Sequence, residues 1–305
     1  MKKQKPTLSI YLPAHNEEKG IARTLMTILN QKRSNFTLQT VTVLCDGCTD
    51  STEEIVKKIG KKHPVVKVIN DGRRLGKAGR ISHSHALATS DILINIDSDC
   101  LLPDKQCLVE VVKKFDNPRV GLVGAHDLPL PARGFFEHIA VYNINIWHQI
   151  RKNVNGGKTL HNHHGCITAK SKAVYKNVII PTNIIADDDF VFFRTLELGF
   201  EFDYAPKARM YYRAPTNYSD YMKQQVRFIN LKNEIFITFG EWTKDYYPIP
   251  MNYKIKGILV SLLKDPILFS FAILLNVLIR MRADLETIDA QSDGTWETIN
   301  SSKDL

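Results

Sequence analysis

Short apolar runs rich in β-branched residues alternate with segments of helical period through the first two hundred residues of this 305-residue chain. The runs at 8–12, 41–44, 65–69 and 92–96 predict strands. Apolar residues three and four apart in the intervening segments predict helices. Strands and helices in this order form a sheet covered by helices on both faces. We therefore predict an α/β fold with a mostly parallel central sheet.

The strand predicted at 92–96 runs directly into two carboxylates, Asp97 and Asp99. Two anions at one sheet edge repel each other unless a cation or a diphosphate neutralises them. The simplest neutraliser is Mg²⁺ or Mn²⁺, although Asp-X-Asp also occurs in ordinary turns. Two more polar loops, at 13–18 and 46–50, follow predicted strands. Open α/β sheets bind ligands along this edge, so the three loops predict one site.

The net charge of +9 predicts an anionic partner. Phosphorylated small molecules and acidic membrane surfaces both qualify. Nucleic acid is not expected, because the basic residues are scattered and no nucleic-acid-binding motif is present. Five cysteines without framework spacing are typical of a reducing compartment. The basic N-terminus lacks the apolar core of a signal peptide, so we expect a protein that is not exported.

The pattern changes after residue 199. Two short strands are predicted at 201–204 and 210–213, and a long helix at 219–239. Apolar stretches at 257–263 and 267–279 follow, and charged residues between them would be unfavourable at a bilayer centre. We interpret this region as a helix in the membrane interface or a kinked span. The alternative is an amphipathic helix that packs on the core or on another subunit.

Six segments in order and register resemble those of family-2 glycosyltransferases. They lie at 13–18, 46–50, 76–80, 97–99, 165–169 and 187–189. The resemblance implies a Rossmann-like fold of the GT-A type and a sugar nucleotide donor, usually a uridine diphosphate sugar. It also implies transfer with inversion at the anomeric carbon.

By this resemblance, the nucleoside contacts are Asn16, Glu17 and Asp46, beside Pro13 of the same loop. Asp97 matches the position that contacts ribose and metal, and Asp99 matches the metal ligand, so Mn²⁺ or Mg²⁺ is the implied cofactor. Lys77 and Arg80 lie in a basic loop with glycines, which suits phosphate oxygens.

The acceptor hydroxyl needs a general base, and three adjacent carboxylates at 187–189 are candidates. Their mutual repulsion should raise at least one pKa above the usual value of about 3.9. Relatives commonly carry Glu-Asp here with the Asp as base, which implies Asp188 and leaves Asp187 as the alternative. Acidic residues also favour a helix N-terminus for electrostatic reasons alone.

A second motif, Gln224, Arg227 and Phe228, resembles the Gln-X-X-Arg-Trp signature of membrane-bound relatives such as cellulose, chitin and hyaluronan synthases and ceramide glucosyltransferases. On a helix these three residues share one face. The ring is expected to stack on the acceptor while Arg227 faces phosphate. Phe in place of Trp keeps the stacking surface and loses the indole donor.

Our hypothesis is a metal-dependent inverting glycosyltransferase at the cytoplasmic face of a membrane, with a lipid-linked or glycan acceptor and, as a candidate, a membrane partner subunit. The expected parts are a transferase core at 1–215, an acceptor-side region at 216–252, an apolar membrane helix at 253–283 and a polar tail at 284–305. One alternative is a noncatalytic sugar-nucleotide binding protein. Another is a thioredoxin-like redox protein that uses the C-x-x-C pair Cys45 and Cys48.

Overall fold

A computed structural model describes residues 4–285, 300–303 and 305. Its strands belong to one sheet. In chain order they are β1 Thr7–Ala14, β2 Thr37–Cys45, β3 Val66–Asn70, β4 Ile92–Ile96, β5 Cys100–Leu101, β6 Val120–Pro129, β7 Ile167–Ser171 and β8 Glu201–Tyr212. Their spatial order is β3-β2-β1-β4-β7-β6-β8-β5.

Helices cover both faces of this sheet, as the sequence pattern predicted. In chain order they are α1 Ile21–Leu29, α2 Thr52–Lys62, α3 Gly76–Leu87, α4 Cys107–Lys113, α5 Phe135–Arg151, α6 Lys172–Tyr175, α7 Asp187–Glu197, α8 Tyr218–Phe239, α9 Met251–Lys264 and α10 Pro266–Leu285.

The first half of the sheet is parallel, as predicted. Strand β1 pairs in parallel with β2 on one side and with β4 on the other, and β3 extends the same arrangement beyond β2. All five residues of β4 are buried, which explains why its sequence is a continuous apolar run. The polar loops that follow β1, β2 and β4 consequently meet at one edge.

The second half of the sheet corrects the prediction of a mostly parallel sheet. Strand β7 lies antiparallel between β4 and β6, and β5 lies antiparallel to β8. The sheet is therefore mixed. An apolar run indicates that a segment is a strand but carries no information about its direction, which depends on the long connection through α5 that returns the chain to the sheet.

The two short strands predicted after residue 199 form one strand, β8. It pairs in parallel with β6 on both sides of an interruption, and the register shifts between Ala125 and His126, opposite Ala205 and Arg209. This irregularity corresponds to the interruption that separates the two pieces in the sequence.

The C-terminal apolar region consists of two helices, α9 and α10, that meet at Asp265. Asp265 accepts hydrogen bonds at Oδ1 from the amides of Ile267 and Leu268, at 3.1 and 2.9 Å, which stabilises the start of α10. Gly257 of α9 packs directly against Ile150 of α5. Within the residues described above, no helix is both long and apolar enough to cross a membrane. The kinked span is therefore not supported, and the position of this region in a membrane interface stays a prediction.

The polar tail is only partly described, since 286–299 lie outside the described residues. Its last residues return to the core, where Leu305 is buried beside Gly20 at the start of α1. The division of the chain at 215, 252 and 283 stays a prediction.

Candidate active site

The loops after β1 and β2 are bound to each other. Asn16 has a left-handed backbone, with φ of 54°, and its Oδ1 accepts a hydrogen bond of 2.8 Å from the Thr49 amide. The Glu17 amide donates to Thr52 Oγ1 at 2.7 Å. Pro13 is half-buried inside β1 and contributes its backbone to the start of this loop. These bonds hold Asn16 and Glu17 at the sheet edge where the sequence predicted the nucleoside.

A buried ion-pair cluster lies beneath the same edge. Asp46 accepts hydrogen bonds from the Leu75 amide at 2.6 Å and from Arg80 Nε at 3.0 Å. The side chain of Arg80 is fully buried and also pairs with Asp71 at 2.7 Å. Two carboxylates draw the guanidinium inward. The phosphate contact of Arg80 stays a prediction, and in this structure Arg80 fixes the loop between β3 and α3.

Lys77 forms an ion pair with Asp97, one of the two predicted metal ligands. Its Nζ lies 2.9 Å from Asp97 Oδ1 and 3.1 Å from Asp97 Oδ2, and Asp99 is close enough to repel Asp97. Burial, together with the Asp99 charge, raises the pKa of Asp97 to about 6 although Lys77 acts to lower it. The pKa of Asp99 is also raised, chiefly by burial. Asp97 and Asp99 together thus carry more negative charge than Lys77 alone neutralises, as the sequence indicated.

Gly165 leaves room for the side chains of Lys77 and Asp188, which both lie against it. A Cβ atom at position 165 would lie 2.7 Å from Asp188 Oδ2 and would also collide with Lys77 Nζ. Real Cβ atoms do not come so close to another heavy atom, so a larger residue would displace both side chains. Gly165, which belongs to the fifth motif, therefore makes room both for the predicted base and for the lysine that pairs with a predicted metal ligand.

Asp187 and Asp188 differ in charge although they are adjacent. Burial and the Asp188 charge raise the pKa of Asp187 to about 8. For Asp188, burial also acts upward, but Lys77, His163 and His164 outweigh it and its pKa is lowered. The two pKa values therefore move in opposite directions, which favours Asp188 as the ionised member of the pair. The predicted rise of at least one pKa in this triplet is found at Asp187, where burial is the larger cause and the charge of Asp188 the smaller one.

The remaining acid, Asp189, faces away from this pair. Its Oδ2 accepts a hydrogen bond of 2.7 Å from the Tyr247 hydroxyl, and burial raises its pKa to about 6. His163 packs against the rings of Phe192 and Phe202, and burial lowers its pKa to about 4. In the described part of the chain, no group of three or more His, Cys, Asp or Glu side chains could hold a metal. Any ion at Asp97 and Asp99 would need further ligands from substrate or water.

Helix α8 brings the second motif to the same place. Burial lowers the pKa of Arg227, and the negative charges of Asp187, Asp188 and Asp97 act in the opposite direction. Gln224 is half-buried on this helix. Phe228 is 48% exposed, and its ring centroid lies 5.4 Å from the Arg227 guanidinium carbon. The helix therefore directs a cation toward the carboxylates and leaves an aromatic surface open beside them.

No sequence pattern indicated that Lys303 belongs to this region. Its Nζ lies 2.9 Å from Glu17 Oε1 and donates to the carbonyls of His15 and Asn16 at 2.7 and 2.9 Å. Burial and Asp99 raise the pKa of Glu17 to about 7, while Lys303 acts to lower it. A contact between the two ends of a chain leaves no local sequence pattern, so only the fold reveals it.

The buried position of Arg80 can be tested by stability. Arg80→Met leaves the buried Asp46 without its cation, and we expect a loss of about 3 kcal/mol in the free energy of unfolding, measured by urea denaturation. Arg73→Met is the matched control, because Arg73 pairs with the same Asp71 but its side chain is 65% exposed. That variant should lose less than about 1 kcal/mol. Equal losses in the two variants would contradict the buried role of Arg80.

Comparison with known proteins supports the resemblance. The family model described as glycosyl transferase family 2 matches residues 9–177, which includes Cys45 and Cys48. A β-monoglucosyldiacylglycerol synthase from Nostoc sp. is 27% identical over 157 residues, 50% of this chain and 33% of that protein. A poly-β-1,6-N-acetyl-D-glucosamine synthase from Staphylococcus epidermidis is 22% identical over 245 residues, 79% of this chain and 57% of that protein. The chain thus spans about a third to just over half of these curated relatives.

Solved structures share the fold. A mannosyltransferase from Pyrobaculum calidifontis, in complex with GDP-Man and Mn²⁺, superposes with a TM-score of 0.60 at 20% identity and covers 94% of this chain and 78% of that one. Glucosyl-3-phosphoglycerate synthase from Mycobacterium tuberculosis, in complex with Mn²⁺ and UDP, gives 0.53 at 18% identity, with 76% and 79% covered. The fold is therefore of the GT-A type, with a mixed sheet between helices. Because the family model matches more than half of its residues, this chain belongs to glycosyl transferase family 2.

Proposed function

We propose that this protein is a metal-dependent inverting glycosyltransferase that moves a sugar from a nucleoside diphosphate sugar, with UDP favoured, to a hydroxyl of a lipid-linked or glycan acceptor. One observation carries the proposal: Asp188 and Lys77 both lie against Gly165, and Lys77 pairs with Asp97 at the edge where Asp97 and Asp99 converge. A base and an anion-neutralising centre are thus adjacent, as transfer from a diphosphate leaving group requires.

Asp97 and Asp99 fit a divalent cation. They offer hard oxygen ligands, and their raised pKa values reflect negative charge that a cation would relieve. Mg²⁺ in particular is commonly held by one or two carboxylates plus substrate phosphates and water. A bound ion would supply neutralisation of the charge that develops on the departing diphosphate. The solved relatives named above, which contain Mn²⁺ with GDP-Man or UDP, support this assignment.

The proposed base is Asp188 rather than Asp187. The pKa of Asp188 is lowered, which favours the ionised form that can accept a proton, whereas the pKa of Asp187 is raised by burial and by the charge of Asp188. In the proposed step the acceptor oxygen forms a bond to the anomeric carbon and its proton passes to Asp188. The bond from that carbon to the diphosphate oxygen breaks, and the diphosphate leaves with the electron pair.

The acceptor is proposed to bind beside α8. Arg227 brings positive charge toward the carboxylates, and the half-exposed ring of Phe228 offers an apolar surface to a sugar face or a lipid. The printed names of the two sequence relatives, a glycolipid synthase and a polysaccharide synthase, are compatible with either acceptor class.

We also propose that α9 and α10 lie on an anionic membrane surface at the cytoplasmic face. Large apolar side chains are exposed along both helices, with Leu263 at 82% and Ile267 at 71%. Exposed basic residues accompany them, including Lys256, Lys264 and Arg280. Apolar side chains can insert among acyl chains while the basic residues between them bind acidic headgroups. This combination favours a lipid surface over a partner subunit as the contact of α9 and α10.

Donor turnover is the first test. With Mn²⁺ or Mg²⁺ and membrane lipid, we expect nucleoside diphosphate release from one member of a sugar nucleotide panel, and loss of this release on chelation with EDTA. Asp188→Asn should reduce release at least about 100-fold while donor affinity, measured by calorimetry, is kept. Donor binding without release by the wild-type protein, under every condition, would favour the noncatalytic alternative.

Gly165→Ala tests the geometry of the base. The new methyl group would displace Asp188 and Lys77, and we expect turnover to fall about 10- to 100-fold because small misplacements of catalytic groups are costly. The matched control is Gly134→Ala, since an added Cβ at position 134 meets nothing within 4 Å. Turnover is measured by the same release assay. Unchanged turnover in Gly165→Ala would contradict the proposed arrangement.

Vesicle binding tests the membrane proposal. We expect sedimentation with vesicles rich in phosphatidylglycerol, and weaker sedimentation with pure phosphatidylcholine vesicles. Leu263→Glu should reduce binding about tenfold, since an inserted leucine contributes about 1.5–3 kcal/mol. Ile179→Glu is the matched control, because Ile179 is equally exposed at 82% but lies outside these helices. Equal losses in both variants, or no binding by the wild-type protein, would exclude this surface as a membrane contact.

A further inference from the structure

A carboxylate on α8 binds the backbone just before the acidic triplet of α7. Glu234 Oε2 accepts hydrogen bonds from the amides of Ile185 at 3.0 Å and Ala186 at 2.7 Å, and Oε1 lies 3.1 Å from the Ile185 amide. Ile185 and Ala186 are buried, with 8% and 3% of their surface exposed. Ala186 is the N-cap of α7 and has no side chain that could cap the helix. The start of this helix is therefore bound from a distant part of the sequence.

Glu234 lies on α8, the same helix that carries the proposed acceptor residues. Glu234 follows Arg227 by seven residues, which is about two helical turns and places both on one side of the helix. Next to it, Ile235 is fully buried in the same apolar cluster as Ala186 and Phe190 of the α7 region. The helix that carries the proposed acceptor residues thus also forms hydrogen bonds with the segment just before the proposed base.

We propose that Glu234 is a positioning residue that sets the location of Asp188 and couples it to the acceptor-side helix. This inference rests on the proposed function. Buried amides without partners are strongly disfavoured, so loss of the carboxylate would force the segment at 185–186 to find other partners and would move the residues that follow it. Asp188 lies only two residues beyond Ala186, in the first turn of α7.

Substitution of Glu234 should therefore act on turnover more than on donor binding. For Glu234→Ala we expect kcat to fall about 10- to 100-fold, with the donor Kd unchanged because the donor residues lie on other loops. Glu234→Gln keeps one acceptor oxygen and should lose less. The matched control is Glu241→Gln, since the side chain of Glu241 is 84% exposed and pairs only with its neighbour Lys244 among the described contacts.

A double-mutant comparison separates positioning from general stability. If Glu234 acts through Asp188, then Glu234→Ala should slow Asp188→Asn no further, because the group being positioned is already lost. A purely structural role predicts that the unfolding midpoint falls while kcat per folded molecule is unchanged. A role in turnover that is independent of Asp188 predicts that the two losses of kcat multiply. Either of these results would overturn the proposal.

Amide hydrogen exchange supplies a readout that does not require turnover. Exchange at Ile185 and Ala186 should accelerate in Glu234→Ala and stay unchanged in Glu241→Gln. A wild-type protein that turns over no donor would refute the proposed function and the positioning role with it. Wild-type turnover combined with an unaltered kcat in Glu234→Ala would refute the positioning role alone.

Discussion

Repulsion among carboxylates at one sheet edge is the constraint on which the rest of this structure depends. Asp97, Asp99, Asp187 and Asp188 converge there from two separate elements, and such a group is unfavourable unless positive charge accompanies it. Lys77 lies among them, and its pKa is raised well above the usual range because these carboxylates outweigh the effect of burial. The remaining repulsion and burial raise the pKa of Asp187, so that protonation of this acid is favoured over protonation of its neighbour Asp188.

The surrounding elements keep these groups close together. Gly165 removes the side chain that would separate Lys77 from Asp188. Beneath the loop, the buried pair of Arg80 and Asp46 fixes the turn that leads to Lys77. On the acceptor side, Glu234 binds the backbone before Asp187. Each contact joins residues far apart in sequence, so the site depends on the complete fold rather than on any single motif.

Much of the first half of the fold could be predicted from the sequence. The strand predicted at 92–96 corresponds to β4 without change, and the helix predicted at 219–239 differs from α8 by one residue. Parallel strands buried on both faces produce continuous apolar runs, which are easy to recognise. The orientation of β7 and the inward direction of Arg80 could not be predicted, because both depend on long-range partners that leave no periodic pattern nearby.

The sequence by itself determined the residue types of the site and their order, because chemistry at a diphosphate requires carboxylates and cations at strand ends. It also determined the apolar character of α9 and α10. Only the tertiary structure decided which acid favours the ionised form, which basic residue is buried and which distant carboxylate secures the helix at Asp187. The physical reason is that charge state and burial depend on distances between side chains from different elements, and those distances exist only after the sheet and helices have packed.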